Sequence, residues 1–149
     1  MKKLLLILIC LFVSVEVMSE DKVYHCDIYP LHPSANQNDS TEIQMFLDID
    51  KEWFSMTRMD SVEYQRISPM LEFNKEFRCN LAFITSSYTI KLDSNTKINY
   101  RYTFQRSNRD IKLIKNTWSS LHHSDSKSSI FVGKCHGSFD KYLQLKGCF

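Results

Sequence analysis

The stretch YTIKLDSNTKINYRYTFQ, residues 88–105, decides the fold. Tyr88, Ile90 and Leu92 alternate with Thr89 and Lys91, after which Asp93, Ser94, Asn95 and Thr96 form a run of turn-forming residues. Beyond that run, Ile98, Tyr100, Tyr102 and Phe104 alternate with Lys97, Asn99, Arg101, Thr103 and Gln105. Successive side chains on a strand point to opposite faces, so two alternating runs joined by a short polar turn predict a β-hairpin with one apolar face. That face must be buried against something.

Working outward, residues 42–50 repeat the pattern: Ile43, Met45, Leu47 and Ile49 fall on one side, and Glu42, Gln44, Asp48 and Asp50 on the other, with Phe46 as the single exception, which predicts a half-buried strand. Further strands are expected at residues 22–28, 53–59, 62–67, 77–84 and 129–136. Together they predict a mainly β domain, all-β or β-rich α+β: a small antiparallel meander that either curls into a barrel or packs as a sandwich. One short helix is expected at residues 109–121, because Ile111, Ile114, Trp118 and Leu121 recur at spacings of three and four, although Ile111 and Leu113 also fit a strand. Residues 31–41 and 119–129 read as loops; six of the eleven residues in the second are serine.

The N-terminus reads as a targeting segment. Met1, Lys2 and Lys3 precede an apolar run from Leu4 to Val13 that fades through Ser14 and Glu16. This is the layout of a cleavable signal peptide over residues 1–19, with cleavage expected after Ser19 and one secreted domain over residues 20–149. The run is shorter than the roughly 20 apolar residues of a membrane span, and no second such run occurs, so no span is expected after cleavage. Cys10 lies within the run behind Ile9, not behind the small residue that a lipid-acceptor cysteine needs, and is expected to leave with the signal. A periplasmic or secreted location follows.

Four cysteines then remain: Cys26, Cys79, Cys135 and Cys148. In an oxidising compartment two disulfides are the expected outcome, with three possible connectivities. Cys26 and Cys135 sit on expected strands at opposite ends of the domain, which favours that pair and leaves Cys79 with Cys148. No close C-x-x-C pair supports zinc ligation, and no cofactor is expected.

Charge is balanced overall but segregated along the chain. Removing Lys2, Lys3 and Glu16 from 19 basic and 17 acidic residues leaves 17 against 16, which argues against nucleic-acid binding. Residues 39–76 carry nine acids and four bases, and residues 91–115 carry seven bases and two acids. On one account the oppositely charged strands pair within the sheet. On the other, Lys91, Lys97, Arg101, Arg106 and Arg109 form a basic surface for an acidic secreted protein or an anionic envelope polymer.

Catalytic patterns are scarce. There is no G-x-S-x-G, S-x-x-K or H-E-x-x-H, and the three glycines, Gly133, Gly137 and Gly147, form no phosphate-cradling loop. His122, His123 and Asp125 lie among serines and read as a solvated loop. Asp48, Asp50 and Glu52 read as the outward face of a strand. His25 and His136 flank Cys26 and Cys135, so pairing of those cysteines would bring both imidazoles beside one disulfide and remove any free thiolate. The Tyr24-His25-Cys26 and Gly133-Lys134-Cys135 triplets, with the Lys/Leu-rich leader, resemble small periplasmic β-barrel proteins of the lysozyme-inhibitor type; no functional residue carries over from that resemblance. The leading expectation is an exported binding protein of the cell envelope, an inhibitor or immunity protein for a secreted enzyme. A small secreted hydrolase using a His/Asp site and a structural envelope component are the alternatives.

Overall fold

A computed structural model describes residues 23–32, 40–72, 75–121, 126–137, 143 and 146–148. The expected leader at residues 1–19, most of the expected loop at 31–41, and His122, His123 and Asp125 lie outside the described residues. Eight strands form one antiparallel sheet: β1 (Val23–Pro30), β2 (Thr41–Asp48), β3 (Trp53–Ser55), β4 (Glu76–Cys79), β5 (Phe83–Lys91), β6 (Thr96–Gln105), β7 (Asp110–Ser119) and β8 (Lys127–His136). Their order is β3-β2-β1-β8-β7-β6-β5-β4, so the first strand lies beside the last and the sheet curls into a nearly closed barrel.

The hairpin of residues 88–105 is the β5–β6 pair, with Tyr88 opposite Tyr100 and Ile90 opposite Ile98. Its turn is held by Asp93, whose Oδ1 accepts from the backbone N–H groups of Asn95 and Thr96, each at 2.7 Å. Those donors, Asn95 foremost, hold the Asp93 carboxyl below the usual carboxylate range. The alternation in β2 also buries as its pattern requires, with Met45 and Leu47 fully enclosed.

Several expected elements differ. Residues 109–121 form no helix: β7 runs through them, paired with β6 on one side and β8 on the other. Ile111 and Leu113 point inward, whereas Trp118 is 45 % exposed, so the three-and-four spacing joined residues from opposite faces of a strand. Conversely, residues 62–67, expected as a strand, belong to α1 (Ser61–Ile67), continued by a 3-10 turn at Ser68–Met70. Asp60 caps the helix by accepting from Glu63 N–H at 2.9 Å, and Arg66 pairs with Glu63 one turn apart. Only Ile67 is buried, so local capping outweighs a weak apolar alternation. The strand expected at 77–84 is broken by Asn80, whose Oδ1 accepts from Ala82 and Phe83 N–H and turns β4 into β5. The one expected at 53–59 stops at Ser55, where the Trp53 indole donates to Thr57 O and Thr57 N–H donates to Ser55 Oγ.

Closure rests on aromatic packing. Trp53 stacks on Tyr88 with ring centroids 4.5 Å apart, which brings the end of the sheet at β3 against the inner face of β5. Inside, Ser55 Oγ, Tyr88 Oη and Tyr102 Oη form one hydroxyl cluster, with Ser55–Tyr88 at 2.6 Å and Tyr88–Tyr102 at 3.2 Å. The seam between β1 and β8 carries the Cys26–Cys135 disulfide, and Cys79–Cys148 fixes the C-terminal residues to β4.

Two predictions arise here. Burial pushes the Tyr88 hydroxyl above its ordinary value of 10.0 and pushes Tyr102 well above it. The unfolded chain therefore ionises these groups first, so their contribution to stability is intact below about pH 10 and is lost as pH rises through the folded-state values. Alkaline titration should show tyrosinate absorbance from these two rings appearing together with loss of the far-UV β signal, not ahead of it. The second concerns Gly133, where a Cβ would overlap the Asp27 carbonyl oxygen and crowd Ile28 Cα. Both are backbone atoms of β1, so Gly133→Ala must push the seam strands apart; a loss of about 3 kcal/mol or more in denaturant unfolding is expected.

Candidate functional site

The outer face of the sheet is built by register. Asp27, Lys134, Asp110, Gln105 and Phe83 are successive neighbours across β1, β8, β7, β6 and β5. One step along, Tyr29, Val132, Lys112, Thr103 and Thr85 form a parallel row. These two rows, Thr85 excepted, border a hollow of about 690 Å³ that Ser40, Gly133 and Ile111 also line. Tyr29, Phe83 and Val132 give it apolar walls.

The hollow is electrostatically uneven. Asp27 accepts a contact from His136 Nε2 at 3.1 Å, and Asp110 accepts from Asn108 Nδ2 at 2.6 Å. Lys112 and Lys134 have no ion pair within 4 Å among the described residues. Among the described residues, both carboxylates thus have partners and neither ammonium group has an ion pair.

The basic residues singled out in the sequence divide into separate places. Lys91 and Lys97 are cross-strand neighbours, and Arg101 lies on the same outward register of β6, beside Ser87 and Ile114. Lys97 is bound by Glu72 at 2.7 Å. Arg106 serves the fold, since its Nη1 donates to the carbonyls of Asn80 and Cys148 and so ties the β4–β5 turn to the C-terminal residues. Arg109 sits exposed in the β6–β7 turn with φ 61°, and its carbonyl accepts from Cys135 N–H. The first three share a face; Arg106 and Arg109 do not join them.

Among the described residues, a single ion pair bridges the acidic and basic segments. Asp48 pairs with Lys51, Asp60 with Arg58, and Glu63 with Arg66, all within the acidic segment, while Glu72–Lys97 links that segment to the basic one. Such exposed pairs are worth only about 0–1 kcal/mol each. The carboxylates read as one strand face separate as well: Asp48 ends β2, whereas Asp50 and Glu52 fall in the following turn, Asp50 paired with Lys146.

Among the described residues, no group of three or more His, Cys, Asp or Glu side chains is placed to hold a metal ion. All four described cysteines are in disulfides, so no thiol nucleophile is available there. No helix among those residues is long and apolar enough to cross a membrane. Reasoning from sequence missed Tyr29, Lys112, Val132 and Lys134 as site residues; the usable signal was the alternation Ile111-Lys112-Leu113, which marks Lys112 as outward on a strand. No family model, curated protein or solved structure matches the chain.

Proposed function

We propose that this protein is a binding module of an oxidising extracytoplasmic compartment, and that its outer-face hollow receives an acidic segment of a secreted protein, which it restrains or inhibits. The observation that carries this reading is the pair of amines Lys112 and Lys134, neither with an ion pair among the described residues, at the border of a hollow that Tyr29, Val132 and Phe83 also line. An apolar concavity with a few fixed polar groups is the usual form of a recognition site. Ammonium groups at its border steer an anionic partner and set its register. Two disulfides support the oxidising location.

The test is retention of envelope proteins on the immobilised mature domain, identified by mass spectrometry, against a Lys112→Glu/Lys134→Glu variant that keeps the far-UV spectrum and melting temperature. The expected result is a retained acidic protein whose capture falls about tenfold or more in the variant and weakens with salt. Equal retention by both proteins would overturn the reading. A variant lacking His122, His123 and Asp125 should retain the same partner, because those residues are not needed for grip.

A further inference from the structure

On the outer face, beside the hollow, two histidine–carboxylate pairs from three strands occupy adjacent register positions. His25 on β1 is the register partner of His136 on β8, and Asp27 on β1 is the register partner of Glu42 on β2. His25 Nδ1 meets Glu42 Oε1 at 3.2 Å, and His136 Nε2 meets Asp27 Oδ2 at 3.1 Å. Each imidazole is therefore oriented through one ring nitrogen by its own carboxylate. The opposite nitrogens, Nε2 of His25 and Nδ1 of His136, have no hydrogen bond among the described residues, and both side chains are more than half exposed.

We propose that His25 and His136 form a cross-strand clip for one divalent transition-metal ion of the imidazole-preferring class, Cu²⁺ above Zn²⁺. Directly opposed residues on one sheet face have Cβ atoms about 4.5–5.5 Å apart, within reach of two imidazoles converging on one ion at about 2.0–2.1 Å each. A carboxylate on the second ring nitrogen is the usual support of a metal-ligating histidine: it fixes the ring and raises its basicity. Glu42 and Asp27 are occupied in that way, so the clip has two protein donors and water fills the remaining positions. The Cys26–Cys135 disulfide adjoins the clip on the same two strands, so the histidine pair is held without the ion. Asp27 and Glu42 add negative charge; Lys134, opposite Asp27, is the opposing cation. Copper leads because affinity for nitrogen sites rises to Cu²⁺ and falls again at Zn²⁺.

This inference does not rest on the binding reading, since the Lys112→Glu/Lys134→Glu variant leaves both imidazoles in place. Its test is titration of the oxidised mature domain with Cu²⁺ alone and Zn²⁺ alone, followed by calorimetry and by electron paramagnetic resonance for copper. One Cu²⁺ should bind with nitrogen ligation, and His25→Ala or His136→Ala should each weaken it at least tenfold. Glu42→Gln with Asp27→Asn should weaken it about 10–100-fold while keeping the nitrogen signature. His122→Ala/His123→Ala should leave the affinity unchanged. Identical titrations of wild type and His25→Ala/His136→Ala, or loss of the site with His122 and His123, would overturn the proposal. The melting temperature without metal guards against misfolded variants.

Discussion

Replacing Cys26 and Cys135 by alanine should lower the free energy of unfolding by about 5 kcal/mol, more than the matching change at Cys79 and Cys148. The bridge spans 109 residues, and closing a loop of that length restricts the unfolded chain by about 4.7 kcal/mol in the chain-entropy account. Both sulfurs are also buried, so their removal leaves space in the core beside Tyr24 and Ile28. The Cys79–Cys148 bridge closes 69 residues, which is only slightly cheaper in entropy, but it ties down a chain end whose partner strand β4 is half exposed. Chemical denaturation of the two double variants under oxidising conditions reads the difference directly. Since a domain of this size holds only about 5–15 kcal/mol, reducing both bridges should leave it marginal or unfolded. Equal stability of wild type and Cys26→Ala/Cys135→Ala would remove the main physical link between this fold and an oxidising compartment.

How far the fold could be read from sequence depended on whether the deciding interactions were local. The β5–β6 hairpin was legible because Tyr88 to Phe104 alternates without interruption and Asp93 supplies its own turn. The seam pairing was legible for a different reason: Cys26 and Cys135 lay on strands at opposite ends of the domain, and a meander that closes must bring its first and last strands together. Residues 109–121 misled because Ile111, Ile114 and Trp118 fit a helical spacing while Ile111 and Leu113 fit a strand; only the flanking ladders to β6 and β8 choose between them. In residues 62–67 the apolar spacing points to a strand, but Asp60 and Glu63 stand at the spacing of a capped helix start, which is the stronger cue. The hollow was not legible. Tyr29, Lys112 and Lys134 belong to three strands, and their meeting depends on the β1–β8 and β7–β8 registers, which no local pattern specifies.

The same non-local logic makes Trp53 the most costly single side chain to lose. Trp53→Ala should destabilise by about 3–5 kcal/mol, the range for truncating a buried aromatic. The ring is fully enclosed, stacks on Tyr88, and donates through Nε1 to Thr57 O at 2.7 Å. It stands on a strand of three residues that pairs with β2 alone, so β3 has little hydrogen bonding to fall back on. Without the ring, the hydroxyl cluster of Ser55, Tyr88 and Tyr102 would open towards water from the β3 side. Trp53→Phe separates the contributions: it keeps an aromatic face against Tyr88 but removes the donor to Thr57, and should cost about 1–2 kcal/mol. If the cluster depends on the ring, Trp53→Ala should also let Tyr88 ionise at a lower pH than in the wild type, while Trp53→Phe should not. Denaturant unfolding paired with alkaline titration of the three proteins measures both effects. A Trp53→Ala protein with wild-type stability and an unmoved tyrosine transition would mean that β3 contributes nothing to closing the barrel.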